Sequence, residues 1–444
     1  MATSVTMKVY QVGLRQTLFP LALMIVTVLS AVVLPYIIVQ KNSYTRIVVE
    51  EGLTRVVSNA WAAVNWRDRE VICIIAGSAV WATLSLLLPG STYFGPPTLS
   101  GFRPEYKKSG FLFYLISMSA LITVVWNTSV VHLYPKFVTF GGMLSITGLI
   151  LSAFVFVKGH LFPSPGVFGS SGNPVFDFYW GIELYPRLGP FNIFDFKTIV
   201  NCRFGLWLWQ AVVIWAWKAN YELHAAGYAR GEINYPLTAT TILQTIYLAK
   251  FFYWEDGYMS TIDISVDKFG FYEGWGCVAW VPTFYTLTSL YLIKHSPVHA
   301  FGLWSFVATL IVGIGMIWLN YETDRQRFVF RKTGGKCTIW GRPVKAIHAV
   351  YQSDDGHSKQ SMLLASGLWG MARHFNYVFE LGAAFAWSLP ALTSSVIPYM
   401  YFCFLLVLLV HRSFRDEEKC RLKYTKYWDK YCVAVPYRIL PYVY

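Results

Sequence analysis

Apolar stretches about as long as a bilayer is thick recur along this chain, and they limit its fold to helices that cross a membrane. Leu18 to Val39 and Phe301 to Leu319 each run without a charged residue. About 20 apolar residues wound as a helix match the ~30 Å hydrocarbon core of a bilayer, and a helix satisfies its own backbone groups where no water can. Charged residues make up only 14% of the 444 residues, against about 25% in soluble globular proteins. The first run is long for a signal-peptide core, its flanks are weakly basic and no small-x-small site follows, so it reads as a retained span.

Length and apolarity predict spans near 17–39, 71–89, 111–133, 138–157, 204–219, 237–253, 277–294, 301–319, 378–393 and 395–411, the last two forming a hairpin broken at Pro390 and Pro398. The expected fold is all-α: a polytopic membrane protein of about ten transmembrane helices. Ten spans place both termini on one side, and that side receives 28 of the 37 Lys and Arg residues. The bias puts both termini in the cytoplasm. Residues 40–70 dissent, with five basic residues on the opposite side, accompanied by four acids.

Several function classes drop out. A net charge of +13 is explained by positive cytoplasmic loops facing anionic lipid, and no nucleic-acid module is present, so no nucleic-acid partner is expected. Seven scattered cysteines without a Cys-x-x-Cys pair argue against a disulfide framework or a structural zinc site. His295 and His299 are four apart, but Pro297 between them spoils a helical metal face, so no metal is expected. Gly274-Trp275-Gly276 with Ala279 imitates a dinucleotide fingerprint but lacks a preceding strand. The sequon at Asn127 lies within or beside a span, where a glycan is not expected.

Two segments concentrate polarity: 320–377, and the tail from Arg412 onward. The first holds Arg325, Arg327, Arg331 and Lys332; the second holds Arg415, Lys419, Arg421 and Lys423. Guanidinium forks suit phosphate and aromatic rings suit a flat base, so an anionic nucleotide fits. Ordinary flanking charge at span ends explains the same residues. Acids gather after the sixth span: Tyr253, Glu255, Asp256, Tyr258, Asp263 and Asp267 form a cluster. A carboxyl kept protonated by burial serves as a general acid; a solvated loop with a helix cap is the plainer account. Glu183 with Arg187 reads as a structural ion pair.

Longer blocks carry a resemblance. Leu368 to Tyr377 reads L-W-G-M-A-R-H-F-N-Y, Arg415 to Cys420 reads R-D-E-E-K-C, and Lys423-Tyr424 precedes Tyr427-Trp428 and Tyr431. Gly181 to Arg187 reads G-I-E-L-Y-P-R. From about residue 90 onward the sequence resembles the sterol reductase family of the endoplasmic reticulum. Arg103-Pro104 with Tyr106-Lys107, Thr261 to Ile264, and Gly274-Trp275-Gly276 with Trp280 and Tyr285 are similar to its delta-7 branch.

The resemblance implies an NADPH-dependent enzyme that reduces the C7–C8 double bond of a 5,7-diene sterol, as in cholesterol-type biosynthesis. It implies a single membrane domain with N-terminal helices (1–236) and a cofactor- and sterol-binding half (237–444) whose pocket faces the cytoplasm. Matching positions for NADPH are Arg327, Arg331, Leu364, Trp369, Asn376, Tyr377, Asp416, Cys420, Arg421, Leu422, Lys423, Tyr424 and Tyr431. The proton is expected from Glu255, Asp256 or Asp263, with Tyr253 assisting. Arg327 stands where the branch often has Lys, Phe379-Glu380 replaces Gly-Asp, and Thr425 replaces a common Gly. Delta-14 reduction, an isoprenylcysteine-type methyltransferase and a non-catalytic sterol-binding protein are the alternatives. A sterol and the lipid bilayer are the expected partners, and the endoplasmic reticulum the expected location.

Overall fold

The computed structural model describes residues 14–40, 52–98, 101–189, 194–224, 233–352 and 358–443; the first part of the dissenting loop 40–70 lies outside them. Helices dominate, joined among the described residues by four short antiparallel strand pairs. Among the described residues, eight helical stretches are long and apolar enough to cross a membrane. They coincide with eight of the ten expected spans, so the chain is an all-α polytopic membrane protein.

The other two expected spans are helices of a different kind. Residues 237–253 fall in Tyr235–Tyr253, a 19-residue helix interrupted by Thr238, Thr240, Thr241, Gln244 and Lys250. Residues 378–393 fall in Asn376–Ser388, only 13 residues and about 20 Å long at 1.5 Å per residue. Pro390 then sits in the 3-10 turn Leu389–Ala391 and Pro398 in Ile397–Tyr399, which breaks the hairpin where the prolines predict.

The chain divides into two compact units, one of residues 1–232 with 251–294, the other of 233–250 with 295–444. The first unit contains α1 (Phe19–Gln40), α2 (Arg69–Leu84), α3 (Gly110–Asn127), α4 (Phe137–Leu161) and α5 (Leu206–His224). A composite span, Phe271–His295, opens with a π-helical stretch, Phe271–Trp280, that contains Gly274-Trp275-Gly276. Its Trp275 indole N–H donates to Ser145 O at 3.1 Å and fixes the span against α4.

The second unit contains α6 (Tyr235–Tyr253, as far as Lys250), α7 (Leu303–Lys332), α8 (Asn376–Ser388), α9 (Met400–Tyr424) and α10 (Lys426–Ala434). With 30 residues, α7 is about 45 Å long and outruns the ~30 Å hydrocarbon core. Its last turns, from Asn320 onward, therefore carry the polar residues. Gly313 lets helices close in: a Cβ there would lie 2.6 Å from Leu243 Cδ1 and 3.2 Å from Ala386 Cβ. Deeper contacts are polar. Lys250 Nζ donates to Asn320 Oδ1 at 2.7 Å, and the Tyr247 hydroxyl donates to Glu380.

Beyond the spans, Ala346–Gln352 (β1) and Ser358–Leu364 (β2) form an antiparallel hairpin in register Ala346–Leu364 to Gln352–Ser358. Ala349 packs with Tyr424, Trp428, Tyr431 and Val435, while Leu364 packs with Phe330, Ile339 and Trp369. The hairpin thus joins the end of α7 to the α9–α10 tail.

Candidate functional site

The two guanidiniums of Arg327 and Arg331 are one helical turn apart on α7, so they share a face. That face meets β2, the turn around Trp369, and α9. Together they bound a cleft with about 550 Å³ of empty space. Gly367 makes the Trp369 turn fit, with φ of 63°, where a side chain is strained, and with Ile339 Cγ2 only 2.8 Å from where a Cβ would stand. Leu368 N–H then donates to Gln326 Oε1 at 3.0 Å, and the Trp369 indole to Thr323 O at 2.7 Å. These bonds pin the indole so that the Arg327 guanidinium lies 4.8 Å from its ring centre.

Opposite, α9 contributes Asp416, Cys420 and Tyr424 at four-residue intervals, and α10 contributes Trp428 and Tyr431. Burial pushes the Tyr431 phenol up to about 12, although Arg327 and Arg373 pull it down. The cleft therefore gathers Arg327, Arg331, Leu364, Trp369, Asp416, Cys420, Tyr424 and Tyr431 from the expected cofactor set.

The remaining five expected positions do not line it. Asn376 opens α8 and donates from Nδ2 to Asp324 Oδ1 at 3.2 Å, while its Oδ1 is buried without a partner among the described residues. Tyr377 is buried against the His374 ring, centres 5.1 Å apart and 16° from parallel. Leu422 is 76% exposed, and Arg421 is exposed beside it. Lys423 lies over Tyr351, 4.3 Å from its ring centre.

Six lining residues lie outside the expected set, and two of them, Arg373 and His374, belong to the Leu368–Tyr377 block. Arg373 is structural. Its Nε donates to Glu417 Oε1 at 2.6 Å, and its Nη1 donates to the carbonyls of Val435 and Pro436, each at 2.8 Å. Arg438 reaches the other Glu417 oxygen at 2.7 Å. One carboxylate thus clamps two guanidiniums and holds the C-terminal tail beside α8. His374 is 4% exposed, and its Nε2 is buried without a partner among the described residues. Burial pushes its imidazole pKa down to about 4; Asp416 and Glu417 oppose that, and Arg327 and Arg373 reinforce it.

A dinucleotide fits this wall chemically. No ion pair is formed by Arg327, Arg331 or Asp416 among the described residues, and orphaned polar atoms remain at His374 and Trp428. Two unpaired guanidiniums side by side repel each other and call for an anion.

The expected acids lie in the first unit. Tyr253 is 61% exposed and meets Phe111 edge-on, centres 5.5 Å apart. Glu255 is buried, ion-paired with Arg203, and accepts the Gly110 N–H at 2.7 Å. Asp256 pairs with Lys108 at 3.3 Å. Asp263 is half-buried, and its carbonyl accepts from Lys197 Nζ at 2.8 Å. The expected Glu183–Arg187 pair is replaced by two others: Glu183 binds Lys158 at 2.7 Å, and Arg187 binds Asp195 at 3.0 Å. Backbone geometry turns the two side chains to different neighbours, which spacing alone cannot reveal.

Comparison with known proteins agrees with this architecture. Residues 7–444 match the model of the Ergosterol biosynthesis ERG4/ERG24 family. A 7-dehydrocholesterol reductase from Arabidopsis thaliana is 42% identical over 377 residues, 84% of this chain and 84% of that protein. One from Danio rerio is 33% identical over 391 residues, 82% of this chain and 78% of its own length. The Delta(14)-sterol reductase of Methylotuvimicrobium alcaliphilum is 31% identical over 369 residues, covering 82% and 80%. A match over nearly the whole length, together with eight membrane-length helices, establishes that the chain belongs to the ERG4/ERG24 family of sterol reductases.

Proposed function

We propose that the chain is an NADPH-dependent reductase of the C7–C8 double bond of 5,7-diene sterols, a multi-pass protein of the endoplasmic reticulum membrane with both termini and the cleft facing the cytoplasm. The observation that carries the reading is the pair of guanidiniums, Arg327 and Arg331, that line the cleft with no ion pair among the described residues, Arg327 lying over the Trp369 ring. The relatives named 7-dehydrocholesterol reductase favour the C7–C8 bond.

In this reading Arg327 and Arg331 hold phosphate, Trp369, Tyr424 and Tyr431 form the walls against which flat rings stack, and Asp416 accepts from ribose hydroxyls. Asn376 and Tyr377 support the wall from α8; Leu364 closes it from β2. Cys420 lines the α9 side, with Arg421, Leu422 and Lys423 following it on the same helix. A bound reduced nicotinamide supplies hydride. The chain's own share is to exclude water, align the sterol alkene and deliver a proton to one of its carbons. Of the four residues proposed for that proton, Glu255 is committed to Arg203 and the Gly110 N–H and Asp256 to Lys108. Asp263 is half-buried, and Tyr253 carries the exposed hydroxyl. Replacing the true donor abolishes turnover with NADPH binding intact; full turnover in Tyr253→Phe and in all three carboxylate variants would discard the set.

The deciding experiment is sterol profiling after expression in yeast, whose sterols carry a 5,7-diene. Loss of the diene's ultraviolet absorption, with products saturated at C7–C8, is the expected result. The Methylotuvimicrobium relative supports a second reading, delta-14 reduction. An unchanged diene together with rescue of a strain lacking the delta-14 step would establish that one instead.

A further inference from the structure

His374 is held in place with unusual completeness for a side chain that completes no hydrogen bond at Nε2. Its backbone N–H donates to Arg438 O at 2.8 Å, and the Arg373 N–H beside it donates to Tyr437 O at 3.0 Å. Its ring lies flat on Tyr377. Its Nε2 is buried without a partner among the described residues, and the residue lines the cleft. Buried polar atoms are nearly always hydrogen-bonded, so an orphaned nitrogen on a residue of the cavity wall points to a ligand's polar group nearby.

The position of His374 along the cleft says which part of the ligand. Both α7 and α9 run from an apolar first half to a charged last half. Arg327 therefore sits about 6 Å nearer the apolar end than Arg331, and Asp416 about 12 Å nearer than Tyr424. The titratable groups that act on His374 are Asp416, Glu417, Arg327 and Arg373, and those that act on Arg331 are Arg327, Tyr424, Asp416 and Cys420. His374 thus marks the apolar end of the cleft and Arg331 the charged end. Phosphates belong at the charged end; the half that must meet a sterol belongs at the other.

Resting on the cofactor reading above, we propose that His374 is a further cofactor contact, its Nε2 hydrogen-bonding the nicotinamide–ribose half of the bound dinucleotide. The test uses the purified full-length protein and two ligands, NADPH and adenosine 2′,5′-bisphosphate, which lacks that half. His374→Phe keeps the ring stacked on Tyr377 and loses the nitrogen. It should bind NADPH about tenfold more weakly, the loss of one hydrogen bond, with bisphosphate binding unchanged. His374→Gln, whose amide reaches the same point as Nε2, should recover most of the loss. Equal NADPH affinity in wild type and His374→Phe overturns the proposal, and so does an equal loss for both ligands, which marks a structural role. Failure of the wild type to bind either ligand would overturn the cofactor reading itself.

Discussion

Arg331 and Glu417 illustrate opposite fates for charge at the end of a membrane helix. Arg331 has no carboxylate partner among the described residues, so its worth lies in what it binds. Arg331→Ala should weaken NADPH about ten- to hundredfold, the range for a charge-assisted hydrogen bond. The loss should shrink as salt rises, which titration at two ionic strengths checks. Glu417 is already satisfied, holding Arg373 at 2.6 Å and Arg438 at 2.7 Å. Glu417→Ala leaves two guanidiniums without their anion and should cost about 3 kcal/mol or more of stability, read as a fall in thermal midpoint. His374 adds a pH dependence. Its pKa of about 4 in the fold lies below the ordinary 6.5, so the unfolded chain binds more protons between those values. Stability is fully present above pH 6.5 and declines as pH falls toward 4. His374→Phe should therefore lose less thermal stability than wild type between pH 7 and pH 5. At this scale the charges were readable and their partners were not: Glu183 and Arg187 stand four apart in sequence, yet each bonds elsewhere.

Elements were legible in proportion to their periodicity. Long apolar runs specify α1 and α4 to within about a turn, because the bilayer imposes a length, whereas α7 continues to Lys332, well past the expected end at 319. The helix α8 was overextended in the sequence reading, since apolar residues continue through Leu389 while Pro390 ends the helix. The hairpin from Ala346 to Leu364 was missed. Its burial is irregular along β1 because its faces meet aromatic residues of α9 and α10 rather than one flat core. Thr425, between α9 and α10, has φ 47° and ψ −123°, a conformation natural to glycine and strained for a β-branched residue. Thr425→Gly should stabilise the protein by about 1 kcal/mol, seen as a raised thermal midpoint with NADPH affinity retained.

Taken as a whole, the chain forms two units that are each discontinuous in sequence: residues 233–250 group with 295–444, and 251–294 group with 1–232. Composition changes little across those points, so only long-range packing can assign them. The continuity of α9 has one more consequence. From Met400 to Tyr424 it is a single uninterrupted helix, anchored by apolar residues at one end and presenting Asp416, Cys420 and Tyr424 at the other. It behaves like a camshaft, in which the angle of each lobe is set by the angle at the bearing. One extra residue after Ser413 would turn every later side chain by about 100°, swinging all three lobes off the cleft while leaving their identities untouched. An alanine inserted there should abolish NADPH binding, and the length of this segment is therefore held as strictly as any residue within it.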